Sequence, residues 1–225
     1  MAKPTIACIP GLGFSPAIYR KVDWGNYSPK MLKWLEPSAY DESIQAYAQR
    51  MLDQIDGDTK ELILIGHSFG GVMAQEMARL QPVKQIILVS SIRSPKEIPW
   101  RYRIFAPLKL DFLFQKAPAI ITLPLWGPPF GYKTSEEQAL FREMVSPQNN
   151  SMLQWSLRKF SAWQELPPSD TPVHSIHGTN DKTLPHSLLR QVDELVNEGS
   201  HIMLFNRAAE VSRLILRVLD QVNYK

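Results

Sequence analysis

Glu61-Leu62-Ile63-Leu64-Ile65-Gly66-His67-Ser68-Phe69-Gly70-Gly71 decides how this chain folds. The apolar run at 62–65 has the composition of a strand buried on both faces. Behind the serine, Gly70, Ala74 and Ala78 fall four residues apart, a small-residue stripe that lets a helix lie close to a sheet. Val72, Met73, Met77 and Leu80 fill the rest of that contact face. Strand and helix leave room only for a sharp turn, with Ser68 at its apex. Backbone there is strained and crowded, and Gly66 and Gly70 remove the Cβ atoms that would collide.

Outward from this stretch the apolar pattern repeats. Thr5–Ile9 predicts a short buried strand, ended by the turn chemistry of Pro10-Gly11-Leu12-Gly13-Phe14-Ser15. A short helix is expected from Pro16, within 16–22. A second strand is expected over 30–35, between Pro29 and Pro37. Asp41 is placed to cap a helix carrying Ile44, Tyr47, Ala48, Met51, Leu52 and Ile55, with Gly57 as its stop. Pro82 closes the helix after Ser68, and 84–90 holds the continuous run Ile86-Ile87-Leu88-Val89. Beyond Pro172, strands are expected over 173–178 and 192–196. A final amphipathic helix from about Ala208 has Asn206 as its cap and Glu210 at the positive end of its dipole. Strands alternating with helices give an α/β fold with a doubly wound, mostly parallel sheet.

Between 94 and 166 the pattern breaks. Seven prolines lie from Pro95 to Pro129 and aromatics are dense, which fits short helices better than strands. Two longer helices are expected over 136–145 and 152–163. The reading is a core of 1–94 and 167–225 with a helical lid over 95–166. Phe14, Trp126, Phe141, Trp163 and Ile202 are the expected lining of a pocket for an apolar acyl or aryl group. Arg101, Arg103, Arg142 and Arg158 are candidate contacts for an anionic substrate end, and any single one of them also reads as a solvated surface arginine.

Composition narrows the function. The 225 residues suit one domain, 44% hydrophobic and 21% charged. A net charge of +3 with no basic cluster gives no reason to expect nucleic-acid binding. The single Cys8 reads as a buried small hydrophobe. The first residues have no signal-peptide design. The longest apolar candidate, 117–126, is too short to span a bilayer and carries Pro118 and Pro124. A cytoplasmic protein without a membrane span is expected, with its oligomeric state open.

A serine hydroxyl attacks only when a base takes its proton, and the base is usually held by a carboxylate. In a doubly wound sheet the chemistry sits at the carboxyl ends of the strands. His67 adjoins Ser68, but consecutive side chains in the turn point apart. His174 lies mid-strand, His177 reads as a structural hydrogen bonder, and His186 reads as exposed. His201 alone follows the last strand. Among the carboxylates, Asp170 precedes its strand, Asp193 lies within an apolar segment, and Asp181 follows a strand in the right place. Ser68, His201 and Asp181 are therefore the candidate catalytic residues. The backbone N–H groups of Leu12 and Phe69 are the candidate oxyanion donors. This chemistry calls for no cofactor and no metal.

These segments together resemble the compact serine α/β hydrolase superfamily of esterases, thioesterases and perhydrolase-like proteins. The resemblance covers roughly 1–94 and 167–225. It rests on Ile9-Pro10-Gly11-Leu12-Gly13, Gly66-His67-Ser68-Phe69-Gly70-Gly71, His177-Gly178-Thr179-Asn180-Asp181 with Pro185, and Gly199-Ser200-His201-Ile202-Met203. It implies a Ser68–His201–Asp181 triad and hydrolysis of an ester, thioester or similar acyl bond in a small-molecule substrate. Three departures accompany it. Pro10 stands where the family usually has His, the first two strands of the usual sheet are missing, and only a very small helix fits between Asp181 and His201. A serine at the apex of the turn, the family's nucleophile elbow, excludes the dehalogenase and epoxide-hydrolase branches, which place Asp there. Cleavage of C–C bonds, perhydrolysis, and a binding or sensing role with little turnover stay open, because the same motifs serve all of them.

Overall fold

The computed structural model describes residues 4–55, 61–167 and 169–223. Strands β1 (Thr5–Ile9), β2 (Lys30–Met31), β3 (Leu62–His67), β4 (Gln85–Val89), β5 (Val173–Gly178) and β6 (Glu194–Val196) form one sheet among these residues. Their order is β2-β1-β3-β4-β5-β6, and every pairing is parallel. The sheet is the expected one, in purely rather than mostly parallel form.

Side chains of successive strand residues point to opposite faces, and the two cores follow that alternation. Ile6, Cys8, Ile63, Ile65, Ile87 and Val89 pack into one core, and Ala7, Ile9, Leu62, Leu64, Ile86 and Leu88 into the other. Helices α1 (Ile44–Leu52) and α2 (Phe69–Leu80) cover the second face. The segment between β4 and β5 carries α3 (Trp100–Arg103), α4 (Lys116–Ile121), α5 (Leu123–Trp126), α6 (Ser135–Val145) and α7 (Asn150–Ser161). Two further helices, α8 (Met203–Asn206) and α9 (Ala208–Asn223), follow β6, and α9 packs into the first core through Val211, Ile215, Val218 and Leu219.

Several boundaries differ from expectation. Strand β2 stops at Met31 because its partner runs into Pro10, which has no N–H, and the chain then turns away. Helix α1 is capped by Ser43, whose hydroxyl accepts from Ala46 N–H at 3.1 Å, and not by Asp41. The expected stop at Gly57 lies outside the described residues. Helix α6 starts in a capping box of Thr134 and Glu137, and Asn149 caps α7. Asn206 does not cap α9: it ends α8, and its amide donates to Glu137 (2.9 Å) and to Ser200 Oγ (3.1 Å). Between β5 and β6 only one 3-10 turn, His186–Leu188, is present, as the short spacing requires.

From β1 the chain goes first to β2 on one side and later to β3 on the other. The sheet order therefore reverses between β1 and β3. The crevice outside the carboxyl ends of those strands is where doubly wound sheets place ligands.

Candidate active site

Ser68 stands in that crevice at φ 53, a left-handed conformation that costs a non-glycine residue on the order of 1–3 kcal/mol. Packing holds it there. Ser68 N–H donates to Val89 O at 3.0 Å, and Ser91 Oγ donates to Ser68 O at 2.6 Å. A Cβ on Gly70 would sit 2.3 Å from Ile9 O, so only glycine lets α2 start this close to β1.

The other two residues come from the loops after β5 and β6. His201 Nε2 lies 3.0 Å from Ser68 Oγ, and His201 Nδ1–H donates to Asp181 Oδ2 at 2.8 Å. Asp181 Oδ1 accepts from Thr183 N–H (2.8 Å) and Leu184 N–H (2.9 Å). Burial pushes the Asp181 carboxyl up, yet the His201 and His177 rings and these hydrogen bonds hold it below the usual carboxylate range. The arrangement can draw a proton from Ser68 onto His201 while a fixed negative charge stabilises the resulting imidazolium.

Gly11 O accepts from Phe14 N–H at 3.0 Å and from the Trp34 indole N–H at 2.8 Å. In a trans peptide the carbonyl and the following N–H point in opposite directions. Trp34 thus sets the direction of the Leu12 N–H. Phe69 is the first residue of α2, where an N–H has no acceptor within the helix. Leu12 and Phe69 border the same cavity as Ser68 and His201.

That cavity measures about 420 Å3. Phe14, Trp126 and Phe141 line it, together with Tyr102, Phe105 and Phe160. Trp163 and Ile202, expected in the lining, do not reach it. The Trp163 indole donates to Glu76 at 2.9 Å within the α1–α2 core, and Ile202 is buried in the opposite core. The candidate arginines are also elsewhere. Arg101 donates to Lys182 O and Thr183 O, Arg103 to Ile98 O and Lys96 O, and Arg158 to Tyr40 O beside Asp111. Arg142 is exposed and outside the cavity. Three of the four therefore brace backbone carbonyls, and are neither substrate contacts nor freely solvated. Among the described residues no cluster of three His, Cys, Asp or Glu could hold a metal ion, and no helix is long and apolar enough to cross a membrane.

Turn geometry points the His67 ring away from Ser68, yet the residue touches the site through His201. Its Nε2–H donates to the His201 backbone carbonyl at 2.8 Å, and its ring stacks on Phe14. Burial, with the nearby His201 ring, pushes its pKa down to about 3. His177, which donates to Leu184 O at 2.7 Å, is also shifted downward, chiefly by burial. The unfolded chain takes up these protons near pH 6.5 while the folded chain does not. Stability is therefore full above pH 6.5 and falls as the pH drops from there toward 3. For His67 this amounts to about 2 kcal/mol between pH 7.5 and pH 5. Urea midpoints at the two pH values should show a steeper loss in wild type than in His67→Gln. Parallel losses would remove His67 from the account.

The sequence matches the profile of the alpha/beta hydrolase family over residues 7–214. A search of curated protein sequences finds no match. Among solved structures, a candidate non-heme bromoperoxidase, BpoC, from Mycobacterium tuberculosis H37Rv is similar with TM-score 0.73 at 15% identity, covering 98% of this chain and 93% of that one. The meta-cleavage product hydrolase CumD from Pseudomonas fluorescens IP01 has TM-score 0.70 at 16% identity, covering 98% and 91%. An epoxide hydrolase from Bacillus megaterium has TM-score 0.71 at 16% identity, covering 97% and 94%. At such identities these are likenesses of fold alone, and they span different chemistries. The sheet, the crevice at its switch point and the match over most of its length place the chain in the alpha/beta hydrolase family.

Proposed function

We propose that this chain is a serine hydrolase that cleaves a small-to-medium apolar carboxylic ester or thioester through an acyl-enzyme on Ser68. One observation carries the reading: the Ser68–His201–Asp181 hydrogen-bonded relay opens into an apolar cavity. His201 Nε2 accepts the Ser68 proton as Oγ attacks the carbonyl carbon, and the Leu12 and Phe69 N–H groups hold the oxyanion. The C–O or C–S bond breaks as His201 returns the proton to the leaving group. His201 then deprotonates a water that releases the acid and regenerates Ser68. Apart from His201, the cavity lining has no acidic or basic side chain, which suits a neutral acyl group. In this reading residues 95–166 are a lid over a core of 1–94 and 167–225.

A fluorophosphonate probe should label the wild type at Ser68, with labelling absent in Ser68→Ala and much reduced in His201→Ala. An unlabelled, folded wild type would overturn the reading. p-Nitrophenyl esters of increasing chain length, run beside acyl-CoA thioesters, then decide between ester and thioester.

Trp34 provides a finer test. Trp34→Phe keeps the ring that stacks on Phe69 but removes the donor to Gly11 O. We expect kcat to fall roughly tenfold with KM nearly unchanged, since the oxyanion forms only during reaction. An unchanged kcat would show that Phe14 N–H alone holds the Gly11 peptide.

A further inference from the structure

Residues 100–125 line the cavity on one side and leave an unpartnered apolar surface on the other. Leu125 is 83% exposed, Ile121 75%, Leu108 61%, Leu113 58% and Phe112 56%. Exposed large apolar side chains concentrated in one short segment mark an interaction surface. Ile121 and Leu125 are four apart on a nearly continuous helical path, in which Thr122 N–H donates to Pro118 O (2.9 Å) and Trp126 N–H to Thr122 O (3.3 Å). They therefore share a face. Ala119 and Trp126, on the same path, line the cavity.

The charge carried by this segment is predominantly positive. From 100 to 125 the charged residues are Arg101, Arg103, Lys109, Lys116 and Asp111. Asp111 is buried and faces Arg158 at 3.6 Å. Arg101, Arg103 and Lys116 donate to neutral backbone carbonyls and not to carboxylates, and Lys109 is exposed. Exposed apolar side chains in a segment whose unpaired charges are cations suit the headgroup region of an anionic bilayer, where the side chains leave water and the cations meet lipid phosphates.

We infer that the 100–125 face adsorbs to anionic lipid surfaces. Leu113 is exposed and also borders the cavity, so adsorption would place the cavity rim against the apolar layer. The inference is independent of the chemistry at Ser68.

Vesicle co-sedimentation tests it. The full chain should pellet with phosphatidylcholine vesicles containing about 30% phosphatidylglycerol and much less with pure phosphatidylcholine. Raising salt to about 0.5 M should weaken the binding. The double substitution Ile121→Glu, Leu125→Glu should lower the partition coefficient at least about tenfold without changing the thermal melt, because both side chains face solvent. Lys109 sits at φ 52, so Lys109→Asn keeps a residue that tolerates that backbone while removing one charge. It should weaken binding to the anionic vesicles about fivefold and leave the phosphatidylcholine background unchanged. A wild type that stays in the supernatant, or that binds both vesicle types equally, overturns the inference. So does a concentration-dependent dimer in sedimentation velocity that the double substitution dissolves, since a second copy would then own the face.

Discussion

Asp181→Asn should lower kcat on an acyl ester by about 10,000-fold with the fold intact. The size of the effect follows from which way the new amide must face. Asp181 Oδ1 accepts two backbone N–H groups, from Thr183 and Leu184. Those donors cannot tolerate an NH2 group in that place, so the amide oxygen is locked there. The NH2 then falls at the Oδ2 position, against His201 Nδ1, where the carboxylate now accepts at 2.8 Å. To accept from the amide, His201 must lose its Nδ1 proton and carry it on Nε2. Nε2 then presents a hydrogen to Ser68 Oγ and can no longer take the serine proton. The fixed charge that stabilises the imidazolium is lost as well. Steady-state kinetics beside a thermal melt checks this, with KM expected to change little. Activity within tenfold of wild type would show that Asp181 does not set the tautomer of His201.

Gly66→Ala should destabilise the protein by at least about 4 kcal/mol or abolish soluble expression. A Cβ at Gly66 would lie 2.4 Å from Gly70 O and from Gly71 Cα, and 2.5 Å from Gly71 N. All three are backbone atoms of the first turn of α2, so no side chain can swing aside to make room. The helix would have to lift off the strand, and with it the turn that presents Ser68. Gly25→Ala is the control. Gly25 is at φ 54, but its nearest neighbour is a flexible Leu216 methyl at 3.4 Å, so the cost there should be that of the backbone alone, roughly 1–2 kcal/mol. Urea unfolding of the two variants separates the cases, and a Gly66→Ala protein within 1 kcal/mol of wild type would contradict the crowding argument.

The two variants also show what could be read before folding and what could not. Gly66 and Ser68 are legible because a strand, a tight turn and a helix constrain each other within a dozen residues. The strands after which Asp181 and His201 appear are less marked, since Val173–Gly178 carries two histidines and a serine and Glu194–Val196 only two apolar residues; the turn residues that follow, Gly178-Thr179-Asn180 and Asn197-Glu198-Gly199, announce their carboxyl ends. Even the small connection between β5 and β6 follows from spacing alone. Local capping is less legible: Ser43 and Asp41 are both good caps by chemistry, and only the structure shows that Ser43 takes the place.

Trp34, His67, Trp163 and Ile202 belong to another class. Trp34 reaches Gly11 O across 23 residues, and His67 reaches the His201 carbonyl across 134. No short-range pattern announces such contacts. Trp163 and Ile202 looked like pocket residues because they are large and apolar, but side chains of that kind serve a core and a cavity wall equally well.

By itself, then, the sequence determined the parallel sheet, the strained serine turn and the order in which serine, aspartate and histidine arrive at one edge of that sheet. These follow from backbone sterics and hydrophobic periodicity, which act over a few residues. The tertiary structure alone decided which aromatics face the cavity, where Arg101, Arg103 and Arg158 anchor, and that the outer side of 100–125 is left uncovered. Those depend on the packing of short, proline-broken helices, whose orientation is set by distant contacts rather than by any period of their own.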